Sequence, residues 1–391
     1  MFSSKLSNYL IYEIPYERKN IFYKHKKKIY KKNIELCNQL NNHKNKIDDI
    51  YNKNPVLWDE IKKFSNEYEF IYTNNIDNFR NISNIFPISR SYFKLWEILH
   101  DFNLINFQKK EEFVSCHLAE GPGGFIECIY KYIYHYITKD FKNIKIYGST
   151  LISKDSSIPK WKIKNTIQNK FNINLNYTNN ENGNLYDIIQ VENFINKVGK
   201  NKCNFLTADG GFDFSSNYNN QEKNFINLFI SEIYIILNLL KDDGHAIIKI
   251  YDIYSKYSIK VLYIISLFFE KIYIVKPLTS RPANSEKYIL GYKFKKNKKY
   301  KFYLNILKKI IITKNLDNLK NNNIIVQSEF IEKILNYNIW YTNRQISYIN
   351  KTINYISEYE DKNDIHFLRN IYYFNRTYCI EWCKIYNVIK L

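Results

Sequence analysis

All ten glycines of this 391-residue chain fall between Gly121 and Gly291. Glycine is used where the backbone needs positive φ or must come close to another group, so the sharp turns belong to the middle of the chain. Five of the ten stand in two clusters, Gly121, Gly123 and Gly124, then Gly210 and Gly211. Residues 1–120 and 292–391 have none, and no proline follows Pro282. Flanks of that kind read as helical or extended additions with few tight turns.

Within the middle segment, short apolar runs alternate with helical periodicity. Glu112 to Leu118, Lys145 to Gly148, Asn204 to Ala208, His245 to Ile250, Lys271 to Val275 and Lys287 to Phe294 read as strands. Phe125 to Ile137, Gln221 to Leu240 and Ser258 to Phe269 read as helices, the second with Phe225, Leu228, Phe229, Ile233, Ile236 and Leu240 along one side. Asp242-Asp243-Gly244 is expected to stop that helix. Such alternation predicts an α/β fold with a mainly parallel sheet covered on both faces. Ligands of such sheets bind at the carboxyl ends of the strands, which gathers the Glu120–Phe125 turn, Asp209 and Lys249 at one edge.

Length allows one large domain with additions or two to three smaller ones. Six cysteines, Cys37, Cys116, Cys128, Cys203, Cys379 and Cys383, show no repeated pair spacing of the zinc-site kind, and no metal is expected. No apolar run approaches the ~20 residues of a membrane span, and no signal-peptide order opens the chain, so a soluble, cytoplasmic protein is expected. The net charge of +20 asks for an acidic partner. Arg18 to Lys32 holds eight basic residues and Lys293 to Lys301 six, both without an acid and both interleaved with aromatic rings. Nucleic acid is the leading partner class for that pattern, with a solvated surface as the alternative and no membrane contact expected.

Four stretches carry chemistry: Ala119-Glu120-Gly121-Pro122-Gly123-Gly124-Phe125, Ala208-Asp209-Gly210-Gly211, His245-Ala246-Ile247-Ile248-Lys249 and Ser280 to Tyr288, which contains Glu286. Together with Ser89 to Ile98, which contains Lys94, they resemble the FtsJ-like (RrmJ-type) ribose 2′-O-methyltransferases over about residues 87 to 296. The Phe93-Lys94-Leu95-Trp96-Glu97 wording is similar to the branch that methylates mRNA caps, including homologues in large DNA viruses. The resemblance implies a Rossmann-like class I methyltransferase sheet, S-adenosylmethionine as cofactor, and Lys94, Asp209, Lys249 and Glu286 as catalytic positions. It also implies cofactor contacts from Glu120, Gly121, Pro122, Gly123, Gly124, Phe125 and Asp209, with Asp187 at the adenine-contacting position. The acidic residue usual after the second strand is replaced here by Gly148-Ser149-Thr150.

The chemistry suits those residue types. A ribose hydroxyl is a poor nucleophile until its proton leaves, and a lysine whose pKa is lowered by burial or by a second cation can take that proton. Lys249, following Ala246, Ile247 and Ile248 on a buried strand, is expected to be that base. Lys94 would add positive charge and hold the oxygen, while Asp209 and Glu286 orient the lysines and favour the transferred positive charge. Taken singly, Lys94 reads as an exposed helix lysine, and Glu286 as a partner of Arg281 or Lys287.

Residues 1–86 are expected to form a basic, mostly helical arm anchored by Trp58 and Phe64, and 297–391 a helical extension striped by Phe330, Ile334, Ile339, Ile353 and Ile356. The expected activity is 2′-O-methylation of the first transcribed nucleotide of capped mRNA. The alternatives are ribosomal or transfer RNA methylation, or a non-catalytic RNA-binding subunit. Capping or transcription machinery would dock on the C-terminal helices, and a virion or viral factory is the expected location for a viral chain.

Overall fold

The computed structural model describes residues 11–14, 26–73, 81–176, 181–211, 221–321, 324–362 and 365–388. Eight strands form one sheet: β1 (Ile11–Ile14), β2 (Phe113–Leu118), β3 (Ile144–Ser149), β4 (Ile173–Leu175), β5 (Cys203–Ala208), β6 (Leu240–Ile250), β7 (Phe269–Val275) and β8 (Lys287–Phe294). Their order across the sheet is β1-β7-β8-β6-β5-β2-β3-β4. The pairs within β6-β5-β2-β3-β4 are parallel, and β8 runs antiparallel to both β6 and β7.

The helices are α1 (Lys26–Lys53), α2 (Pro55–Phe64), α3 (Ser91–Phe102), α4 (Gly124–Tyr136), α5 (Asn165–Phe171), α6 (Ile188–Val198), α7 (Gln221–Leu239), α8 (Lys256–Ser266), α9 (Tyr300–Thr313), α10 (Asn318–Asn321), α11 (Ser328–Lys362) and α12 (Ile365–Ile385). Because side chains alternate along a strand, the sheet feeds two cores. Phe205, Ile247, Tyr288 and Leu290 join α3, α4 and α12 on one face. Leu206, Ile248 and Ile289 join α6, α7, α8 and α9 on the other. All six residues of β2 are buried, as a central parallel strand requires.

The expected strands and helices are present within a few residues, with two physical differences. Asp242-Asp243-Gly244 does not separate α7 from the strand: β6 begins at Leu240, and the register between β5 and β6 shifts near Cys203 and Phe205 as Asp243 takes a left-handed φ of 61°. The N-terminal arm is not all helix, because Ile11–Ile14 pairs antiparallel with β7 and caps that edge of the sheet. Four residues carry too little periodicity to separate strand from helix.

The flanks pack onto the middle segment. Trp58 and Phe64 of α2, with Trp382 of α12, lie in the same core as α3, and Leu40 of α1 meets Ile349 of α11 and Tyr254. Phe330, Ile334 and Ile356 of the expected stripe are buried, whereas Ile339, five positions beyond Ile334, is exposed. No described helix is long and apolar enough to cross a membrane.

Candidate active site

Two lysine–carboxylate pairs stand at the carboxyl edge of the parallel strands. Lys94 reaches this edge from α3, a helix buried along almost its whole length, and its Nζ lies 2.6 Å from Glu286 Oε1. The single-residue readings of Lys94 and Glu286 therefore do not hold: Lys94 is buried, Arg281 pairs with Glu69, and Lys287 pairs with Asp252. Lys249, one residue from the end of β6, lies 3.2 Å from Asp209 Oδ1 and donates to the Asp209 carbonyl at 2.7 Å. Tyr288, the cross-strand partner of Lys249, donates its hydroxyl to Asp209 Oδ1 at 3.2 Å. Gly211 lies close to the pair, where an added Cβ would stand 3.0 Å from both Lys249 Nζ and Tyr251 Oη and would press on them.

Burial would lower the pKa of both lysines, and their neighbours then separate them. Burial outweighs Glu286 at Lys94, with Arg90 adding to the depression, so Lys94 sits below the ordinary lysine range. At Lys249, burial is outweighed by Asp209, Tyr251 and Glu286 acting together, and the amine is held above that range. The expectation of a depressed Lys249 is thus corrected for the ligand-free protein: the depressed amine is Lys94, lowered chiefly by burial and further by Arg90. Burial would raise Glu286, but Lys94, Lys249 and Lys276 keep it strongly acidic.

The glycine turn follows β2 and opens α4 through Gly123, whose φ is 115°. Glu120 is buried at the turn, and its Oε1 accepts from the backbone N–H groups of Phe125 (2.5 Å) and Ile126 (3.4 Å). A Cβ on Gly121 would lie 2.4 Å from the Pro159 carbonyl oxygen, and one on Gly124 2.3 Å from the Ser89 and Ser91 hydroxyls. These two glycines are needed for packing against the protein itself. Pro122 accepts a backbone bond from Lys162, and Phe125 is buried against Tyr288.

Beside the turn, Thr150 Oγ1 accepts from Gly121 N–H, and Asn176 ties the loop after β3 together through the Thr150 backbone and the Glu181 carbonyl. Thr150 thus has a structural task where an acid was expected. Asn176 was not found by sequence reasoning, since an asparagine in an Asn-rich chain carries no signal of its own. Asp187 lies at the N-terminus of α6, where its Oδ1 accepts from Ile189 N–H at 2.9 Å.

Glu286 ends a loop that begins at Lys276. Lys276, 3% exposed, donates to the Asn284 carbonyl (3.1 Å), Asn284 Oδ1 (2.5 Å) and the Glu286 carbonyl (2.6 Å). Arg281 forks onto fully buried Glu69, with contacts of 2.9 and 2.5 Å. Glu97 of α3 accepts from the N–H groups of Leu278 and Thr279 and from the Trp382 indole. Lys44 of α1 and Lys287 share Asp252, and burial lowers Lys287 to about 8. The Lys276 signal was present in sequence, a charge after the apolar run Ile272 to Val275, as with Lys249. Partners such as Glu69 had none.

The basic runs divide. Lys293–Lys301 begins at the far end of antiparallel β8, at the sheet edge opposite this site, and Glu270 lies near Lys293 and Lys295. Of Arg18–Lys32, only residues 26–32 lie among the described residues.

Six strands running one way, a glycine turn after the first of them, and buried charge pairs at their carboxyl edge define a Rossmann-like α/β methyltransferase. The model of the FtsJ-like methyltransferases matches residues 87–294, more than half of the chain, and the chain belongs to that family. It is 26% identical over 261 residues to the cap-specific mRNA (nucleoside-2′-O-)-methyltransferase 1 of Caenorhabditis elegans, covering 61% of this chain and 27% of that one. To the probable methyltransferase EP424R of African swine fever virus (isolate Warthog/Namibia/Wart80/1980) it is 28% identical over 217 residues, covering 52% of this chain and 49% of that one. The chain thus spans about half or less of these relatives. Among solved structures, a putative ribosomal RNA methyltransferase from Plasmodium falciparum aligns at 18% identity with a TM-score of 0.39, covering 54% of this chain and 99% of that one.

Proposed function

We propose that this protein transfers a methyl group from S-adenosylmethionine to the ribose 2′-hydroxyl of the first transcribed nucleotide of capped mRNA. The observation that carries the reading is the buried set of Lys94–Glu286 and Lys249–Asp209 pairs beside the Glu120–Phe125 turn. The cap-specific relatives favour a capped substrate over ribosomal or transfer RNA. The turn fits a cationic cofactor, because Glu120 Oε2 is buried and has no hydrogen-bond partner among the described residues. S-adenosylmethionine, when bound, supplies an electrophilic methyl on a positively charged sulfur.

This chain's residues would do the rest. Lys249, once neutral, accepts the hydroxyl proton on Nζ as the ribose oxygen is methylated, and Asp209 orients that amine through its carboxylate and carbonyl. Lys94 donates to the same oxygen and is itself fixed by Glu286, whose Oε1 also accepts from Ser280 Oγ at 2.8 Å. Alignment at the site contributes the remainder. Glu120 to Phe125 and Asp209 would contact the cofactor, and Asp187 would face its adenine end from the start of α6.

The test is transfer of radiolabelled methyl to short RNAs with and without a methylated guanine cap, using the full chain and Lys249→Ala. Transfer to the first ribose of capped RNA only, lost in the variant while cofactor binding persists, is expected. Equal transfer to uncapped RNA overturns the cap reading, and substantial turnover by Lys249→Ala overturns the base.

A further inference from the structure

Of the residues buried along α7, one is an acid, Glu232. It stands one turn after Leu228 and one turn before Ile236, on the apolar side of the helix, and has no exposed surface. Neither of its oxygens has a hydrogen-bond partner among the described residues. Burying a polar group in that way costs free energy, and an orphaned carboxyl in a native core calls for a physical explanation. Neither the two lysine–carboxylate pairs nor the proton transfer at Lys249 makes use of it.

The carboxyl lies against the turn that carries Asp209. Its Oε1 is packed so closely on Gly210 that a Cβ there would stand 2.5 Å from it. Gly210 shares one peptide with Asp209, and that peptide is trans, so its carbonyl and its N–H point opposite ways. Lys249 Nζ takes the carbonyl at 2.7 Å. The N–H is on the Glu232 side, where it favours the charged form of the carboxyl. One rigid plane therefore lies between the Lys249 amine and Glu232. The titratable groups that face Glu232 among the described residues are Asp209 after β5, Lys249 and Tyr251 at the end of β6, and Tyr186 before α6. Burial outweighs Lys249 here, with Asp209 adding to the rise, so the acid keeps its proton well above the usual carboxylate range. A protonated carboxyl still offers an oxygen to an N–H donor.

We propose that Glu232 is a positioning residue for methyl transfer: from α7 it holds the far side of the Asp209–Gly210 peptide and thereby sets the aim of the Lys249 amine. The Gly210 N–H closes onto Glu232 as the site engages its substrate, in the way that hydrogen bonds of catalytic groups tighten on binding. A peptide whose N–H is engaged has a carbonyl that accepts more strongly. A neutral Lys249 donates an N–H to that carbonyl, which fixes where its lone pair points. Glu232 itself touches neither cofactor nor RNA, because it is sealed from the surface. The assignment rests on the reading of Lys249 as the base.

The experiment compares the full chain with Glu232→Ala, Glu232→Asp and Glu232→Gln. It reads kcat, KM and the kcat–pH profile for methyl transfer to capped RNA, and follows the Lys249 ε-carbon by NMR in lysine-labelled protein, with Lys249→Arg assigning the resonance. Loss of one aligning hydrogen bond is expected to lower kcat about tenfold in Glu232→Ala, with KM for cofactor and RNA within about twofold. The rising limb and the Lys249 titration should both move to lower pH, because a slack carbonyl holds the ammonium less tightly. Glu232→Gln keeps the shape and the acceptor and should restore kcat and the limb. Glu232→Asp withdraws the carboxyl by one methylene, so it should share the loss even where Glu232→Ala does not fold. A merely structural glutamate would lower thermal stability and leave the limb and the Lys249 resonance in place, which overturns the proposal. A resonance that moves with Glu232 while Lys249→Ala still transfers methyl upholds the grip on the peptide and sinks the base reading.

Discussion

Two lysines of one site, Lys94 and Lys249, are buried alike and yet lie on opposite sides of the ordinary lysine pKa, because burial prevails at the first, helped by Arg90, and is overcome at the second by Asp209 together with Tyr251 and Glu286. If Lys249 is the base, it must be neutral before it accepts a proton, so in the ligand-free arrangement kcat climbs with pH beyond the ordinary lysine range. Asp209→Asn removes a group that raises Lys249, so the rising limb of the kcat–pH profile should move to lower pH while its plateau falls. A limb that stays in place would assign the proton to another group. At the glycine turn, Gly121→Ala forces a Cβ to 2.4 Å from the Pro159 carbonyl oxygen, and a backbone shift of that kind costs about 1–3 kcal/mol. Thermal unfolding should show the loss, with weaker cofactor binding by calorimetry. Lys249 was legible in the sequence because a charge ending an apolar strand is costly without a partner. Its protonation was not, since Asp209 lies 40 positions away and only folding sets their separation.

At the scale of elements, the loop from Lys276 to Glu286 is held by α1, α3, α11 and Glu69 as well as by its own Lys276 and Ser280. Burial alone would raise Glu69, yet the Arg281 guanidinium holds it at about 2. A carboxylate depressed by folding binds fewer protons than in the unfolded chain between its ordinary value, about 4.5, and about 2. Its stabilisation is therefore complete above pH 4.5 and is lost as pH falls toward 2. Arg281→Met leaves Glu69 buried without its cation and should cost about 3–5 kcal/mol, read by denaturant unfolding at neutral pH. In Glu69→Gln the acid limb of the stability profile should flatten, and an unchanged limb would show that other carboxylates govern it. Sequence reading offered Arg281 as a neighbour for Glu286. The partner it found lies 212 positions upstream, a distance over which no local pattern can speak.

For the whole molecule, the alternation of strand and helix was readable because period-two and period-3.6 patterns are local. The placement of the flanks was not. A buried stripe says that a helix is covered, and nothing in it says by what. Trp382 illustrates this: fully buried, it stacks edge-on with Phe93 and donates to Glu97 on α3, nearly three hundred positions earlier. Trp382→Ala should cost about 3–5 kcal/mol, and because Glu97 also holds Leu278 and Thr279, methyl transfer should fall more than stability alone explains. Rescue of turnover by Trp382→Phe, which restores volume without the N–H donor, would deny that link. The grip of α12 on α3 also has a meaning for biosynthesis. Lys94, Asp209, Lys249 and Glu286 are all synthesised well before Trp382 and Tyr386, the last of them about a hundred residues earlier. A nascent chain therefore holds all four charged groups while still lacking the wedge against α3, and the Lys94–Glu286 pair should be seated only once synthesis has passed α12.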